Sequence, residues 1–156
     1  MLTLLSLGFT GTQQGMTHEQ AQSLGRELFR VCQGRLPSCT IEWHHGDCIG
    51  ADAQSHLLAR FLELMIILHP PYEDRKRAFC KNFAVCCPPK SYLERNWDIV
   101  RAVELMFVCP KEPREVARSG TWATYRYALQ HHRKIVLILP DGFVRKLNHG
   151  VSVGRK

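Results

Sequence analysis

At 156 residues, 45% hydrophobic and 22% charged, the chain has the size and composition of one globular domain able to bury a core, and it is too apolar for a disordered chain. The longest later apolar run, residues 61–71, carries Glu63 and is broken by Pro70, so no membrane span is expected. The net charge of +7 is unevenly placed: residues 1–110 hold 11 Lys/Arg and 11 Asp/Glu, whereas residues 111–156 hold 10 against 3, which suits a phosphate-bearing ligand, a nucleic acid or a solvated surface.

The opening run MLTLLSLGF lacks a basic leader and runs into glycines, so it reads as a buried strand rather than a signal peptide. The next segment places Ala21, Leu24, Leu28 and Val31 at helical spacing, with Thr17 as N-cap, Gln20 completing a capping box, and Gly34 and Pro37 ending the helix. CTIEWHHGD is a second strand and GADAQSHLLARFLE a second helix; LMIILHPP is a third strand and NFAVCCPP a short one between loops. SYLERNWDIVRAV reads as a helix with Leu93, Trp97, Val100 and Val103 on one side, followed by the strand ELMFVCP. A loop through KEPREVA leads to the helix SGTWATYRYALQHH, and KIVLILPDG is a β-branched run of the kind a central parallel strand needs. This alternation predicts a doubly wound, mostly parallel α/β sheet with helices on both faces over residues 1–145, and a basic C-terminal tail at 146–156.

Seven cysteines include no CxxC pair, which points to reduced thiols, a cytoplasmic protein and no metal centre. His44, His45, Asp47 and Cys48 cannot all converge, because neighbours on a strand face opposite ways. No cofactor is required by any motif.

In doubly wound sheets ligands bind outside the carboxyl ends of the strands. Three small-residue loops lie there. GFTGT matches neither a Walker A loop nor GxGxxG, and by itself suits either a tight turn or a phosphate contact. In HHGDCIGADAQ, Gly46 and Gly50 flank a sharp strand-to-helix turn and Ala51 lets the helix start pack closely. Asp47 and Asp52 there suit capping, ribose recognition or general acid–base work. In RSGTWATYRYA, Ser119, Gly120 and Thr121 open a helix whose amides and hydroxyls suit a phosphate. Trp122 suits either base stacking or the core, and Arg118 and Arg126 are free to reach an anion. Arg95 and Asn96, in ERNWD, add a planar cationic fork and a mixed donor–acceptor, with a surface pair to Glu94 or Asp98 as the plainer reading of Arg95.

HHGDCIGADAQ, YLERNWDIV and SGTWATYRYA, in this order, resemble the SLOG superfamily of Rossmann-like nucleotide-binding proteins, which includes the Lonely Guy phosphoribohydrolases, the DNA-processing protein A domain and cpYpsA-related proteins. The likeness runs from the first strand to VLILPDG and is nearest to the small stand-alone bacterial and phage members. It implies a pocket for a nucleotide, a nucleoside phosphate or an ADP-ribose or NAD derivative. Gly8, Thr10, Gly11 and Thr12 would form the first loop; Gly46, Asp47, Gly50, Ala51 and Asp52 the GAD turn. Arg95 and Asn96 match the arginine–asparagine pair, and Ser119, Gly120, Thr121 and Thr124 the phosphate loop. The hydrolase pattern PGGxGTxxE is broken: Tyr125 and Arg126 stand where its glutamates are expected, and the segment is closer to the SGSLxTA form.

The expectation is therefore a sensor or carrier of a nucleotide-derived ligand that self-associates as a homodimer or higher oligomer. The alternatives are an N-glycosidase using Asp52 or Asp47 as catalytic group, and a DNA-binding accessory protein acting through the basic final third.

Overall fold

The computed structural model describes residues 3–35, 38–148 and 151–153; Pro37, assigned above to a helix stop, lies outside them, as do residues 149–150 and 154–156 of the expected tail. The chain alternates β1 (Thr3–Gly11), α1 (His18–Cys32), β2 (Cys39–His45), α2 (Ala51–Phe61), β3 (Met65–Leu68), β4 (Val85–Cys86), α3 (Tyr92–Ala102), β5 (Leu105–Cys109), α4 (Gly120–Gln130), β6 (Lys134–Ile138), β7 (Val144–Asn148) and β8 (Val151–Val153). A single 3-10 turn, Asp74–Lys76, lies between β3 and β4. The sheet runs β4-β3-β2-β1-β5-β6-β7-β8. Strands β1 to β6 pair in parallel, and β7 and β8 add on antiparallel. The predicted doubly wound α/β architecture is the one observed.

The boundary placed at 145/146 falls inside β7. Leu147 is buried on its partner Ile135, and Lys146 reaches across to the buried Glu27 of α1 at 2.8 Å, so the start of the expected tail is part of the sheet. Among the described residues no helix is long and apolar enough to cross a membrane.

Strand alternation divides the core. Leu7 and Phe9 of β1 face α1 and α2 with Leu24, Leu28, Trp43 and Phe107, whereas α3 and α4 cover Met106, Val108, Ile135 and Leu137 on the other face. Helix α1 starts with the expected capping box, and Gln20 does more than cap: its Nε2 donates to the carbonyls of Pro110 and Ile138 at 2.7 and 3.0 Å, holding the ends of β5 and β6. Helix α3 turns differently from its sequence reading. Leu93 is half exposed, and the buried side is Arg95, Ile99, Val100 and Val103, which places a charged residue on the inner face.

Trp43 sits fully buried between Phe9 and Phe107, with ring centroids 5.7 and 5.5 Å away, and donates its indole N–H to Ser55 of α2. Trp43→Ala removes the largest fully buried side chain of this layer. It is expected to lower stability by about 3–5 kcal/mol, read as a fall in the urea midpoint at unchanged slope.

Candidate functional site

The sheet reverses its winding between β1 and β5, since the chain leaves β1 toward β2 on one side and leaves β5 toward β6 on the other. A cavity of about 390 Å³ lies beyond the carboxyl ends of these two strands. Thr10, Gly11 and Thr12 form its wall from the first loop, Ser119, Gly120 and Thr121 its wall from the start of α4, and Gly46, Asp52, Arg95 and Asn96 its floor.

Several residues expected in the site are elsewhere. Gly8 is a mid-strand residue under α3, where any Cβ would press on Met106, Val103 and Ile99; its smallness serves packing. Gly11 lines the cavity and also meets α2 closely, since a Cβ there would sit 2.6 Å from that of Ala51. Gly50 and Ala51 do not line the cavity. Gly50 has φ +85°, and a Cβ would strike the Gln13 carbonyl, so this turn accepts glycine for backbone reasons.

The GAD turn is not an open anion cradle, because its amides are already used. The Asp47 N–H donates to His45 Nδ1 at 3.0 Å, Cys48 N–H to Asp52 Oδ2 at 3.2 Å, Ile49 N–H to the Lys76 carbonyl and Ala51 N–H to the Thr12 carbonyl. Asp47 is likewise committed. Its φ of +52° swings the fully buried carboxylate away from the cavity, where it accepts from Arg77 Nε at 2.8 Å and from the Cys80 amide at 2.9 Å. It clips the β3–β4 connection to the end of β2, and that excludes the acid–base role considered for it.

Arg95 stands inside α3, as the helical reading of this segment has it, and it pairs with neither Glu94 nor Asp98. Its guanidinium is buried. Nη1 donates to the carbonyls of Gly46 and His69, Nη2 reaches Cys48 Sγ at 3.2 Å, the ring of Tyr92 lies 5.0 Å away, and Nε has no partner among the described residues. A Cβ on Gly46 would overlap this guanidinium, so glycine is what lets the cation approach. Asp52 lies beside it in the floor. Burial pushes its carboxyl up to about 6, against the pull of Arg95 and the amide donors.

At α4, Ser119 is the N-cap and its hydroxyl accepts from the Trp122 amide at 3.3 Å. The first amides of a helix have no intrahelical acceptor, so Gly120 and Thr121 present N–H groups at the cavity wall. Trp122 is buried against Tyr125 in the core under α4 and is not a stacking platform. Thr124 donates to the Gly120 carbonyl inside the helix and is equally remote from the cavity. Arg126 holds Glu115 and the carbonyls of Val116 and Ala117, and is not free for an anion.

Sequence reasoning missed Gln13, Cys48, Tyr92, Lys111 and Glu112 among the lining residues. Lys111 and Glu112 follow β5 directly, so the strand-end rule was the signal that could have found them.

No protein-family model matches the sequence, and no curated protein does. Two solved structures share the fold. The X-ray structure of TM1055, a structural genomics target, is 13% identical over 88% of this chain and 74% of that one, with a TM-score of 0.57. The molybdenum cofactor binding protein from the phototrophic bacterium Rippkaea orientalis is 15% identical over 89% of this chain and 77% of that one, with a TM-score of 0.61. At such identities the likeness shows the Rossmann-like fold alone.

Asp52 makes stability depend on pH. Its carboxyl binds a proton more tightly in the folded chain, near 6, than the ordinary value of 3.8. Ionising it therefore weakens the native state above about pH 6, by on the order of 3 kcal/mol, and that cost disappears below about pH 4. Asp52→Asn is expected to gain stability over the parent chain at neutral pH and to lose that advantage near pH 4, as measured by denaturant unfolding. A difference independent of pH would refute this.

Proposed function

We propose that the cavity holds a phosphate-bearing, nucleotide-derived small molecule and that the protein acts as its sensor or carrier in the cytoplasm. The observation that carries the reading is the buried Arg95 guanidinium. It is compensated by carbonyl oxygens and a thiol and its Nε has no partner among the described residues, in a cavity that the start of α4 also lines. A cation in low dielectric next to helix amides is stabilised by an anion placed between them. Lys111 and Arg118 at the exposed rim supply further charge, and Thr10, Thr12 and Asn96 supply hydroxyl and amide groups for a ribose.

Calorimetric titration with nucleoside monophosphates, dinucleotides and ADP-ribose is expected to show saturable binding by at least one of them. Lys111→Ala and Arg118→Ala should each weaken it about fivefold, and more so at low salt. No heat with any of these compounds, or affinity untouched by both substitutions, overturns the reading.

A second reading rests on Asp52. A buried carboxyl with its pKa near 6 is partly protonated at neutral pH and suits a general acid toward a leaving base. If the protein cleaves N-glycosidic bonds, nucleoside monophosphate incubations release free base, and Asp52→Asn abolishes release while leaving binding intact. Release that survives this substitution removes Asp52 from the chemistry.

A further inference from the structure

A second constellation lies outside the cavity. His45 closes β2, His56 stands in the middle of α2, and Cys80 lies between the 3-10 turn and β4. One donor atom from each falls within 4.8 Å of the other two. Both histidines are buried and Cys80 is partly exposed, which leaves a path from solvent. His45 Nε2 and His56 Nδ1 are 3.0 Å apart. Two nitrogens on one tetrahedral zinc ion sit about 3.3 Å apart, so the pair needs only a small adjustment.

The surroundings match an outer shell. His56 Nε2 donates to the Lys81 carbonyl at 2.7 Å, which fixes the proton there and leaves Nδ1 as the lone-pair nitrogen. Asp47 holds the Cys80 amide and is itself held by Arg77, so the thiol-bearing segment is pinned beside the two rings. A neutral hydrogen-bonded pair, running from the Asp47 amide through His45 and His56 to Lys81, accounts for the two histidines. The Cys80 thiol packs on the core beside the Asp47 carboxylate, and its sulfur also lies within 4.8 Å of the ring nitrogens.

We propose that His45, His56 and Cys80 form a binding site for a divalent transition-metal ion of borderline softness, zinc being the chemical match, with water in the fourth position. Binding releases the Cys80 thiol proton to solvent and moves the His45 ring proton from Nε2 to Nδ1. The Asp47 amide, which now donates to that Nδ1, must then turn aside. Asp47 holds φ +52° beside a glycine, so rotating this peptide plane takes it out of the left-handed region. The same rotation moves the Gly46 carbonyl off Arg95, so the metal site and the cavity floor share one hinge. Of the strand-end group His44, His45, Asp47 and Cys48, only His45 belongs to this constellation. Spacing along the sequence had no means of bringing in His56 and Cys80.

The site stands whether or not the cavity takes a nucleotide. The full chain, stripped with chelator, is titrated with Co²⁺ and followed by absorption, with far-ultraviolet circular dichroism recorded on every variant. The expected result is uptake of about one equivalent with a thiolate-to-cobalt charge-transfer band, bleached by added Zn²⁺. Cys80→Ser should lose the band, His56→Gln should weaken uptake at least about tenfold, and Cys86→Ser should behave as the parent chain. Absence of saturable uptake by the parent chain overturns the proposal, as does a charge-transfer band that is undiminished in Cys80→Ser or lost only in Cys86→Ser.

Discussion

The guanidinium of Arg95 is the contact on which the cavity depends. It projects from α3 onto the carboxyl ends of β2 and β3, where it takes the carbonyls of Gly46 and His69. Those carbonyls lie past the last ladder bonds of their strands, so an internal donor is what permits them to be buried. In exchange the cation gives up most of its hydration and receives neutral acceptors, with no carboxylate in a direct ion pair. Its position sets the identity of residue 46, which has no space for a side chain, and the electrostatic setting of Asp52. Fully buried carboxyls strongly resist ionisation; the neighbouring guanidinium keeps this one titrating near neutrality.

The two helix starts at the strand ends have consequently different roles. The turn into α2 is closed on itself, with its amides donating to His45, Asp52, Lys76 and Thr12. It is structural, and it fastens the first loop to the second and the β3–β4 connection to both. The turn into α4 carries only the Ser119 cap and leaves its leading amides at the cavity wall. The cavity thus has a cation on its floor and amides on one wall, while the remaining side carries hydroxyls. The division follows from the topology, because only the β1–β5 crevice opens at the reversal of winding.

Much of this was legible in the sequence because strand ends are legible. Apolar runs ending in glycine and small polar residues marked the crevice where the cavity lies, and Thr10, Thr12, Asp52, Arg95, Asn96, Ser119 and Thr121 all line it. What could not be read was direction. Asp47 is two residues past a strand and by that rule faces the cavity; a left-handed backbone turns it the other way. Trp122 and Thr124 share a motif with Ser119, yet helical rotation carries each into packing or an intrahelical bond within a turn of the cavity wall. The hydrophobic side of α3 was misjudged because Arg95 counted as polar and therefore outward. β7 was missed because VRKLN places one buried residue, Leu147, among exposed and half-exposed ones, too short a signal for alternation.

The basic final third gains a different meaning once its side chains are placed. As sequence it is an undivided excess of positive charge, equally suited to a nucleic acid. In the structure three of the eight described lysines and arginines of this third have internal duties. Arg126 ties the β5–α4 connection to α4, Arg133 donates to the carbonyls of Val100 and Arg101 at the end of α3, and Lys146 joins β7 to the buried Glu27. Each of these three satisfies carbonyls or a carboxylate within the chain, so its charge is partly spent on the fold. Lys111 and Arg118 are the two at the cavity itself, placed by the strand end and the helix start that define it. Two cations and a buried guanidinium around about 390 Å³ are the scale and charge on which the proposed small phosphorylated ligand rests.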